Sequence, residues 1–451
     1  MSFFVYICAK QNTTTKTHTQ MKKSHLLIAA SALLLASCGG SSNNNNQAQN
    51  NASTPESNDN GNATEQTSAP KNADGQVVLS GSIDNNVTWK DLGLPVDYIV
   101  EGEIQLNGNS LVTVEPGVTI MFTGTDGGIF VDENAGLKMQ GTKDKPIVLT
   151  GPTNNQNPGS WDVVRIRSKR ADNILEYVTF QNGGAGEYVL AIDGSASIKN
   201  CTIDGASDKG AILLKTTAFE NNTFKNCKNF PVVYDTWTEN ATYGGKGNVF
   251  VNNGKNFISI RPTYSEDNKT YTFVKESVPY FCNDGLEFNG RITVNIEPGA
   301  RFAINRGERI YVGPEVIFKA NGTAADPIVF AGTEDKPGYW NGVEIQTTQN
   351  DESSITYCNF ENLGNKDFFD DCAFYIGGDA GFKFNNCNIS KTKAKYGVRI
   401  DNAGNYIDNG MATSSAINVS DVSAAKIIVN SGTQDERIAD GATFDDIAKI
   451  K

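Results

Sequence analysis

The chain contains a tandem repeat with a shorter repeat inside it, and this pattern admits few architectures. Four pieces recur in the same order at nearly one offset, about 180 residues, which indicates two copies of one block. The copies span about 88–270 and 272–430. The recurring pieces are Val114–Gly117 with Ile296–Gly299, Pro146–Gly151 with Pro327–Gly332, Pro158–Trp161 with Pro337–Trp340, and Tyr177–Phe180 with Tyr357–Phe360.

The shorter repeat indicates a coil. Short apolar pieces of the first copy recur at a period of roughly 20–30 residues, and an Asn or Gly stands two positions beyond each. Such a period without helical periodicity predicts a parallel β-solenoid, in which alternate side chains point inward and coils stack at ~4.8 Å. Asn at the recurring turn is expected to adopt a left-handed backbone. The pieces end at Phe180, Ile203, Phe224 and Phe250, and the turn residues are Asn182, Gly205, Asn226 and Asn252.

The cysteines fit an interior position. Cys201, Cys358 and Cys387 each precede an inward Ile or Phe by two residues, so we expect them to face the core. Buried free thiols are favoured over disulfides, and without a Cys-x-x-Cys pair the sequence does not suggest a thiolate metal site. Trp161 and Trp340 occur at the same turn of both copies, which predicts architectural packing.

The N-terminal region indicates export. From Met21 two lysines precede an apolar run of 11 residues, Leu26 to Ala36, whereas a membrane-spanning helix needs about 20. Leu35-Ala36-Ser37-Cys38 resembles the lipobox of bacterial lipoproteins, which implies cleavage before Cys38 and lipid attachment to its thiol. Residues 1–37 are therefore predicted to be a leader, with Met21 as an alternative start.

The segment after the leader is predicted to be a tether. Residues 38–75 are polar and nearly free of large apolar side chains, so they cannot offset their ordering entropy. By resemblance to other lipoproteins, the non-acidic Gly39 implies sorting to the outer membrane. We expect residues 76–451 to form the folded domain, with caps at about 76–98 and 412–451.

Composition excludes several function classes. The leader holds four lysines, no acidic residue and both histidines, so its removal leaves a net charge of −16 and no imidazole. A mature chain of this kind excludes Ser-His and Cys-His catalysis, histidine bases and histidine-ligated metals. Its negative charge argues against nucleic-acid binding.

A resemblance covers positions of about 80–430. Leu111–Ile120, the Gly-x-Leu-x-x-x-Gly-Thr run at Gly136–Thr142, and the Pro-Ile-Val and Gly-x-Trp pieces look like right-handed parallel β-helix proteins of the pectate-lyase-like superfold, specifically its uncharacterised bacterial surface and lipoprotein members. The resemblance implies an all-β, right-handed parallel β-helix. It does not specify function, because this superfold hosts lyases, hydrolases, adhesins and stalks.

An acidic loop supplies the catalytic and metal candidates. Galacturonases of this superfold carry an Asp-Asp pair, a Gly-His-Gly and an Arg-Ile-Lys; here Asp370-Asp371 and Val398–Ile400 match in part, and no His lies between them. The interval from Phe360 to Ile389 is six residues longer than its first-copy counterpart, which places Asp367, Asp370 and Asp371 on an excursion. The candidates are a paired-carboxylate site or a Ca²⁺ site, and a solvated acidic loop is the favoured alternative.

Two further groups are binding candidates. Arg165, Arg167 and Lys169 alternate with apolar residues and should point outward, where they could hold an anionic sugar or, as favoured, pair with carboxylates of neighbouring coils. Their second-copy counterparts are Glu344, Gln346 and Thr348.

The aromatic segment Tyr234–Tyr243, with Trp237, interrupts the short repeat. It could bind a sugar, or Trp237 could simply close a loop.

The sequence therefore predicts an envelope lipoprotein, anchored to the outer membrane by lipid on Cys38. We expect it to present a long β-helix surface to glycans or surface proteins without catalysis. The alternatives are a polysaccharide lyase or glycoside hydrolase acting on acidic polysaccharide, and a structural spacer. No cofactor is predicted apart from a possible Ca²⁺ ion.

Overall fold

The strands are short and alternate buried with outward side chains. The computed structural model describes residues 64–65, 69–213, 215–235, 241–349, 352–365, 368–369, 371–377, 379–401, 417–430 and 435–437. The leader, Cys38, Trp237, Asp367 and Asp370 lie outside the described residues. The described part contains no helix, and so none that could cross a bilayer.

The strands of the first part of the chain are β1 Thr64–Glu65, β2 Val77–Ile83, β3 Val87–Trp89, β4 Tyr98–Leu106, β5 Leu111–Val114, β6 Thr119–Phe122, β7 Gly128–Val131, β8 Gly136–Gln140, β9 Ile147–Thr150, β10 Val164–Ile166, β11 Ile174–Glu176, β12 Val178–Gln181, β13 Tyr188–Ile192, β14 Ala196–Lys199, β15 Thr202–Asp204, β16 Lys209–Leu213, β17 Thr216–Glu220, β18 Thr223–Lys225, β19 Val232–Tyr234, β20 Ala241–Tyr243, β21 Val249–Val251 and β22 Ile258–Ser259. They are followed by β23 Thr263–Tyr264, β24 Thr270–Phe273, β25 Tyr280–Cys282, β26 Leu286–Phe288, β27 Thr293–Ile296, β28 Arg301–Ile304, β29 Arg309–Val312, β30 Ile317–Asn321, β31 Ile328–Gly332, β32 Gly342–Ile345, β33 Ser354–Thr356, β34 Cys358–Glu361, β35 Cys372–Ile376, β36 Lys383–Asn385, β37 Cys387–Ser390, β38 Tyr396–Asp401, β39 Ile417–Val419, β40 Ala425–Asn430 and β41 Asp435–Arg437.

These strands stack in parallel into five ladders, which together make an all-β parallel β-solenoid of about 12 turns and confirm the predicted fold class. Ladder A comprises β1, β3, β5, β8, β11, β14 and β17. Ladder B comprises β2, β4, β6, β9, β12, β15, β18 and β21. The central ladder comprises β2, β4, β7, β10, β13, β16, β19, β22, β25, β28, β31, β34, β37 and β39. Ladder C comprises β20, β24, β27, β30, β33 and β36, and ladder D comprises β23, β26, β29, β32, β35, β38 and β40.

Corresponding strands of the two copies lie in different ladders. In the first copy a coil passes through ladder A, ladder B and the central ladder, whereas in the second copy it passes through ladder C, the central ladder and ladder D. The strand after the first Glu-Pro-Gly turn, β6, therefore lies in ladder B, and its counterpart β28 lies in the central ladder. The second copy thus continues the solenoid one ladder out of step with the first.

The coil changes from ladders A and B to ladders C and D at one place, which we call the handover. It occurs where the sequence repeat is interrupted. Between β19 and β22 the chain inserts β20, which begins ladder C, while β21 ends ladder B. Tyr234 and Tyr243 fill the core there, with ring centroids 5.1 Å apart, and Tyr243 also stacks on Phe273 at 4.7 Å. Large aromatic rings occupy the space where two coil cross-sections meet.

The inward positions form stacks of like side chains. Phe302, Phe330 and Phe360 lie in register on the central ladder and stack face to face at 4.9 and 5.1 Å. The six described cysteines are buried and free, as expected for interior thiols. Burial raises the pKa of Cys201 and of Cys227 to about 12, so these thiols stay protonated.

Two features recur in the turns, a left-handed Asn and a buried Trp that is hydrogen-bonded to a main-chain carbonyl. The expected left-handed backbone occurs at Asn182, Asn226, Asn252 and Asn362, with φ between 55° and 67°. The indole N–H of buried Trp161 donates to the Gln181 carbonyl at 2.7 Å. Trp340 donates to the Glu361 carbonyl at the same distance, so the predicted architectural role is confirmed.

Both predicted ends contain paired strands. Thr64–Glu65, which lies within the predicted tether of residues 38–75, pairs with Val87–Thr88, and the tether stays a prediction. In the predicted C-terminal cap, β39 and β40 still stack as parallel coils, and β41 pairs with β40 in antiparallel register. An antiparallel strand there limits further parallel stacking.

A buried polar ladder crosses the handover. Asn222 donates from Nδ2 to Asn248 Oδ1 at 3.2 Å, and Asn248 donates to Glu276 Oε1 at 2.9 Å. The Gly245 N–H also donates to Glu276 Oε1, at 2.7 Å. Glu276 is 5% exposed, and burial raises its pKa to about 7 against these lowering hydrogen bonds.

Replacing Phe330 with Ala should lower the free energy of unfolding by about 3–5 kcal/mol, because the change opens a cavity in the middle of the phenylalanine stack. Val329→Ala is the control, since Val329 is only half-buried and points outward on the same strand. Equilibrium denaturation measures both variants. Equal losses would contradict the inward stack.

Glu276→Gln should flatten the pH dependence of stability. The folded-state pKa of Glu276 lies above the ordinary value of 4.5, so its protonated form stabilises the fold below pH 4.5, and this stability is lost as pH rises to about 7. From pH 5 to pH 8 the wild type should lose up to about 3 kcal/mol more than the variant. Denaturant titrations at both pH values test this, with the exposed Glu297→Gln as control; parallel curves for wild type and Glu276→Gln would refute it.

Candidate functional site

The outer face of ladder D carries a column of polar and aromatic side chains in the second copy. Strand register places Glu287 beside Tyr311, Tyr311 beside Glu344, Glu344 beside Tyr375, and Tyr375 beside Arg399. We call Tyr311, Glu344, Tyr375 and Arg399 the tyrosine column. Because alternate residues of a strand face opposite sides, their neighbours Ile310, Val343, Phe374 and Val398 are buried in the core.

Small residues flank the column and let other side chains lie close to the sheet. A Cβ on Gly342 would lie 2.6 Å from the ring of Phe368, and a Cβ on Gly377 would lie 1.9 Å from Gln346 Oε1. The Phe368 ring and the Gln346 amide therefore occupy space that larger residues would fill.

The first carboxylate of the site is Glu344, which is 7% exposed. Its Oε2 pairs with Arg309 Nη1 at 2.7 Å, and its Oε1 accepts a hydrogen bond from Gln346 Nε2 at 3.2 Å. The Arg309 guanidinium also lies 5.3 Å from the ring centre of Tyr311 and 3.5 Å from Glu287 Oε1. Both oxygens of the buried carboxylate are thus held by donors from two coils.

The second carboxylate is Asp401. The Tyr375 hydroxyl donates to its Oδ2 at 2.7 Å, and Arg399 Nε donates to its Oδ1 at 3.1 Å. Burial, and then this bond to Asp401, raise the pKa of Tyr375 well above 10, so the phenol remains a donor at neutral pH. The face therefore combines two arginine–carboxylate pairs with two tyrosine rings.

Described residues of the acidic loop that contains Asp371 lie against this face. Phe368 packs against Gly342, and Phe369 stacks on Tyr375 with ring centroids 4.2 Å apart. Asp371 has φ +70°, its carboxylate pairs with Lys395 Nζ at 3.2 Å, and its main-chain carbonyl accepts the Lys395 N–H at 2.9 Å. Asp371 thus joins two successive coils, and a catalytic or metal role for Asp367, Asp370 or Asp371 stays a prediction.

The basic candidates Arg165, Arg167 and Lys169 and the aromatic segment lie elsewhere on the solenoid. Arg165 is hydrogen-bonded to Asp193, and Arg167 lies 3.8 Å from Asp132, so the favoured pairing with neighbouring carboxylates is the geometry observed for these two. Lys169 is exposed next to them.

The two tyrosines of the aromatic segment do not fit the expected sugar-binding role. Tyr234 is 2% and Tyr243 0% exposed, because both rings fill the handover core. Neither ring can therefore offer a face to a sugar from solvent.

The sequence singles out Glu344, Gln346 and the fragment with Arg399 but does not reveal the column they belong to. Tyr311 and Tyr375 carry the missed signal, since each is a polar aromatic residue between two apolar residues of its strand. Among the side chains that the structure describes, no group of three His, Cys, Asp or Glu residues could hold a metal ion.

Comparison with known proteins agrees with the fold. A family model for a pectate-lyase like beta helix domain matches residues 81–178, which include strands of ladders A and B and of the central ladder in the first copy. Searches of curated proteins and of solved structures gave no match. The matched region and the solenoid give a pectate-lyase-like β-helix fold, which is compatible with carbohydrate binding or processing. The tyrosine column lies outside the matched residues.

Proposed function

We propose that this protein is a glycan-binding lipoprotein of the bacterial envelope, and that the tyrosine column is its binding face. The alignment of Tyr311, Glu344, Tyr375 and Arg399 in one register on four successive coils carries this proposal. Aromatic rings pack on the apolar faces of sugars, and carboxylates and guanidinium groups bind their hydroxyls. The partly exposed Arg309 and Asp401 would make these polar contacts, and the buried Glu344 and Arg399 hold them in place.

The charges of the face support hydroxyl recognition. Arg309 is paired with Glu344, and Arg399 with Asp401, so the face holds fixed donors and acceptors with little net charge. Groups already fixed by their partners lose little conformational entropy when a ligand binds. A long array of such groups suits an extended chain of sugar units or an extended surface of a protein partner.

The first copy provides a natural comparison. At the positions that correspond to the tyrosine column it has Phe130, Arg165, Ala191 and Ile212, which lie in register on the central ladder. The two copies therefore differ at all four of these positions, where the second copy has two tyrosines, a glutamate and an arginine. This difference supports a binding role for the second-copy face rather than a purely structural one.

A polysaccharide lyase or glycoside hydrolase is the second candidate. It is favoured by two carboxylates on one face, Glu344 and Asp401, each held by an arginine, and by the Tyr375 hydroxyl bonded to Asp401. Paired carboxylates are the usual machinery of glycoside hydrolysis. Both carboxylates are already neutralised by partners, so we favour binding over turnover.

Tyr311→Ala should weaken glycan binding at least tenfold, because it removes one aromatic surface from the column. Phe130→Ala is the matched control, since Phe130 occupies the same place in the first copy. A glycan array followed by titration calorimetry measures both variants. Equal binding by wild type and Tyr311→Ala would reject the column as the binding face.

Incubation with uronate-containing polymers tests the non-enzymatic part of the proposal, with unsaturated ends and reducing sugar as readouts. We expect no product. Turnover that is lost in Asp371→Asn or Asp401→Asn would establish the enzyme instead.

The anchor is a separate prediction. Cells that produce the chain should incorporate labelled palmitate into it, and Cys38→Ser should abolish the label, because only the Cys38 thiol follows a lipobox-like sequence. Cys201→Ser is the control, since Cys201 is buried in the solenoid. Label retained in Cys38→Ser would overturn the proposed anchor.

A further inference from the structure

A cleft lies at the corner between the central ladder and ladder D. Its volume is about 400 Å³, and loops from four successive coils line it. We call this site the cationic corner. Its lining residues are Arg306, Gly307, Gly338, Tyr339, Asn365 and Lys393.

Peptide hydrogen bonds hold the loops together from coil to coil. The Gly307 N–H donates to the Tyr339 carbonyl at 3.1 Å, and the Lys393 N–H donates to the Gly364 carbonyl at 3.3 Å. The Tyr339 hydroxyl accepts a bond from Thr333 Oγ1 at 3.0 Å and donates to Glu334 Oε1 at 3.3 Å, which fixes the ring at the side of the cleft. Because these peptide groups are used, the cleft offers its side chains to a ligand.

Its two cations differ from their neighbours in lacking a paired carboxylate. Within the described part of the chain, no carboxylate lies within 4 Å of the charged groups of Arg306 or Lys393. Both side chains are exposed, so two positive charges face solvent in one cleft of a chain that is acidic overall. The neighbouring lysines are paired: Lys336 with Glu334, Lys391 with Asp335, and Lys395 with Asp371.

The carboxylate that Arg306 influences already has a closer partner. The pKa of Glu334 is lowered chiefly by its hydrogen bond from Lys336, and Arg306 contributes only the last of the causes. Arg306 therefore lies in the neighbourhood of Glu334 without forming an ion pair with it.

The first copy has the same corner without this chemistry. Gly159 corresponds to Gly338, and Ser207 approaches it as Lys393 approaches Gly338. Gly184 also corresponds to Gly364, since both have a left-handed backbone, with φ of 87° and 84°. This places Ala185 at the position of Asn365. In place of Tyr339, Asn365 and Lys393 the first copy has Ser160, Ala185 and Ser207. Thr125 takes the place of Arg306, because the Asp162 N–H donates to the Gly127 carbonyl as the Asn341 N–H donates to the Glu308 carbonyl.

The fold itself therefore does not require these four side chains. Small residues build the same corner in the first copy, and a basic, aromatic and amide set replaces all four in the second. Two cations without paired carboxylates in a concave site attract an anion. A tyrosine ring beside them suits a ring-shaped body attached to that anion.

We propose that the cationic corner binds an anionic group, a carboxylate, sulfate or phosphate ester, carried on a sugar-sized ring. Arg306 and Lys393 contact the anion, Asn365 donates to it or to a neighbouring hydroxyl, and Tyr339 packs against the ring. The site does not depend on the tyrosine column and lies at a different place on the solenoid.

Titration calorimetry on the full chain at low ionic strength tests the proposal. The probes are inorganic phosphate, inorganic sulfate, a methyl glycoside of a hexuronic acid and its neutral hexose counterpart. We expect saturable binding of at least one anionic probe at one site per chain, and no binding of the neutral glycoside. The probe that binds most tightly identifies the anion.

Arg306→Ser combined with Lys393→Ser should weaken that binding at least tenfold. Lys228→Ser combined with Lys246→Ser is the matched control, because it removes the same charge from exposed positions at other places. Tyr311→Ala should leave anion binding unchanged, which separates this site from the proposed glycan face.

Three results would overturn the proposal: no saturable binding of any anionic probe, unchanged binding in the double variant, or an equal loss in the control. Thermal denaturation shows whether the double variant is folded. Serine stands at one of the corresponding first-copy positions, so we expect an unchanged unfolding midpoint.

Discussion

Parallel hydrogen bonding along the central ladder fixes where every other part of the solenoid lies. These bonds run from the second half of β2 to β39 without a break, whereas every other ladder begins or ends at the handover or near it. Each coil must satisfy its backbone N–H and C=O groups on the coil before and after it, because a buried peptide group without a partner is costly. The positions of the core stacks and of the outward columns follow from that register.

The same register explains how two copies of one sequence came to present different surfaces. Copy two places β28, the counterpart of β6, in the central ladder, and therefore builds ladder D from strands such as β29 and β32, whose first-copy counterparts β7 and β10 lie in the central ladder. The handover is filled by Tyr234, Tyr243 and Phe273 and by the buried Asn222–Asn248–Glu276 ladder. Outward positions carry little packing, so they were able to diverge while the inward positions remained apolar.

That divergence is what gives the second copy its two candidate sites. Phe130 and Ala191 correspond to Tyr311 and Tyr375 on the column, and Ser160 and Ser207 correspond to Tyr339 and Lys393 at the corner. The column combines paired charges with aromatic rings and suits hydroxyl-rich ligands, whereas the corner holds cations without carboxylate partners. A rigid solenoid keeps both sites at fixed positions, which reduces the conformational cost of binding an extended ligand.

The coil could be predicted from the amino-acid sequence, because a short period, inward apolar positions and Asn turns are local properties that occur again in each repeat. The free interior thiols and the role of Trp161 and Trp340 were predictable for the same reason. No local pattern could reveal that Tyr311, Glu344, Tyr375 and Arg399 share one column, since they are separated by loops of different length and strand register alone aligns them. The burial of Tyr234 and Tyr243 was equally hidden, because it depends on where one ladder ends and the next begins, and that point is set by how the coils of both copies pack together.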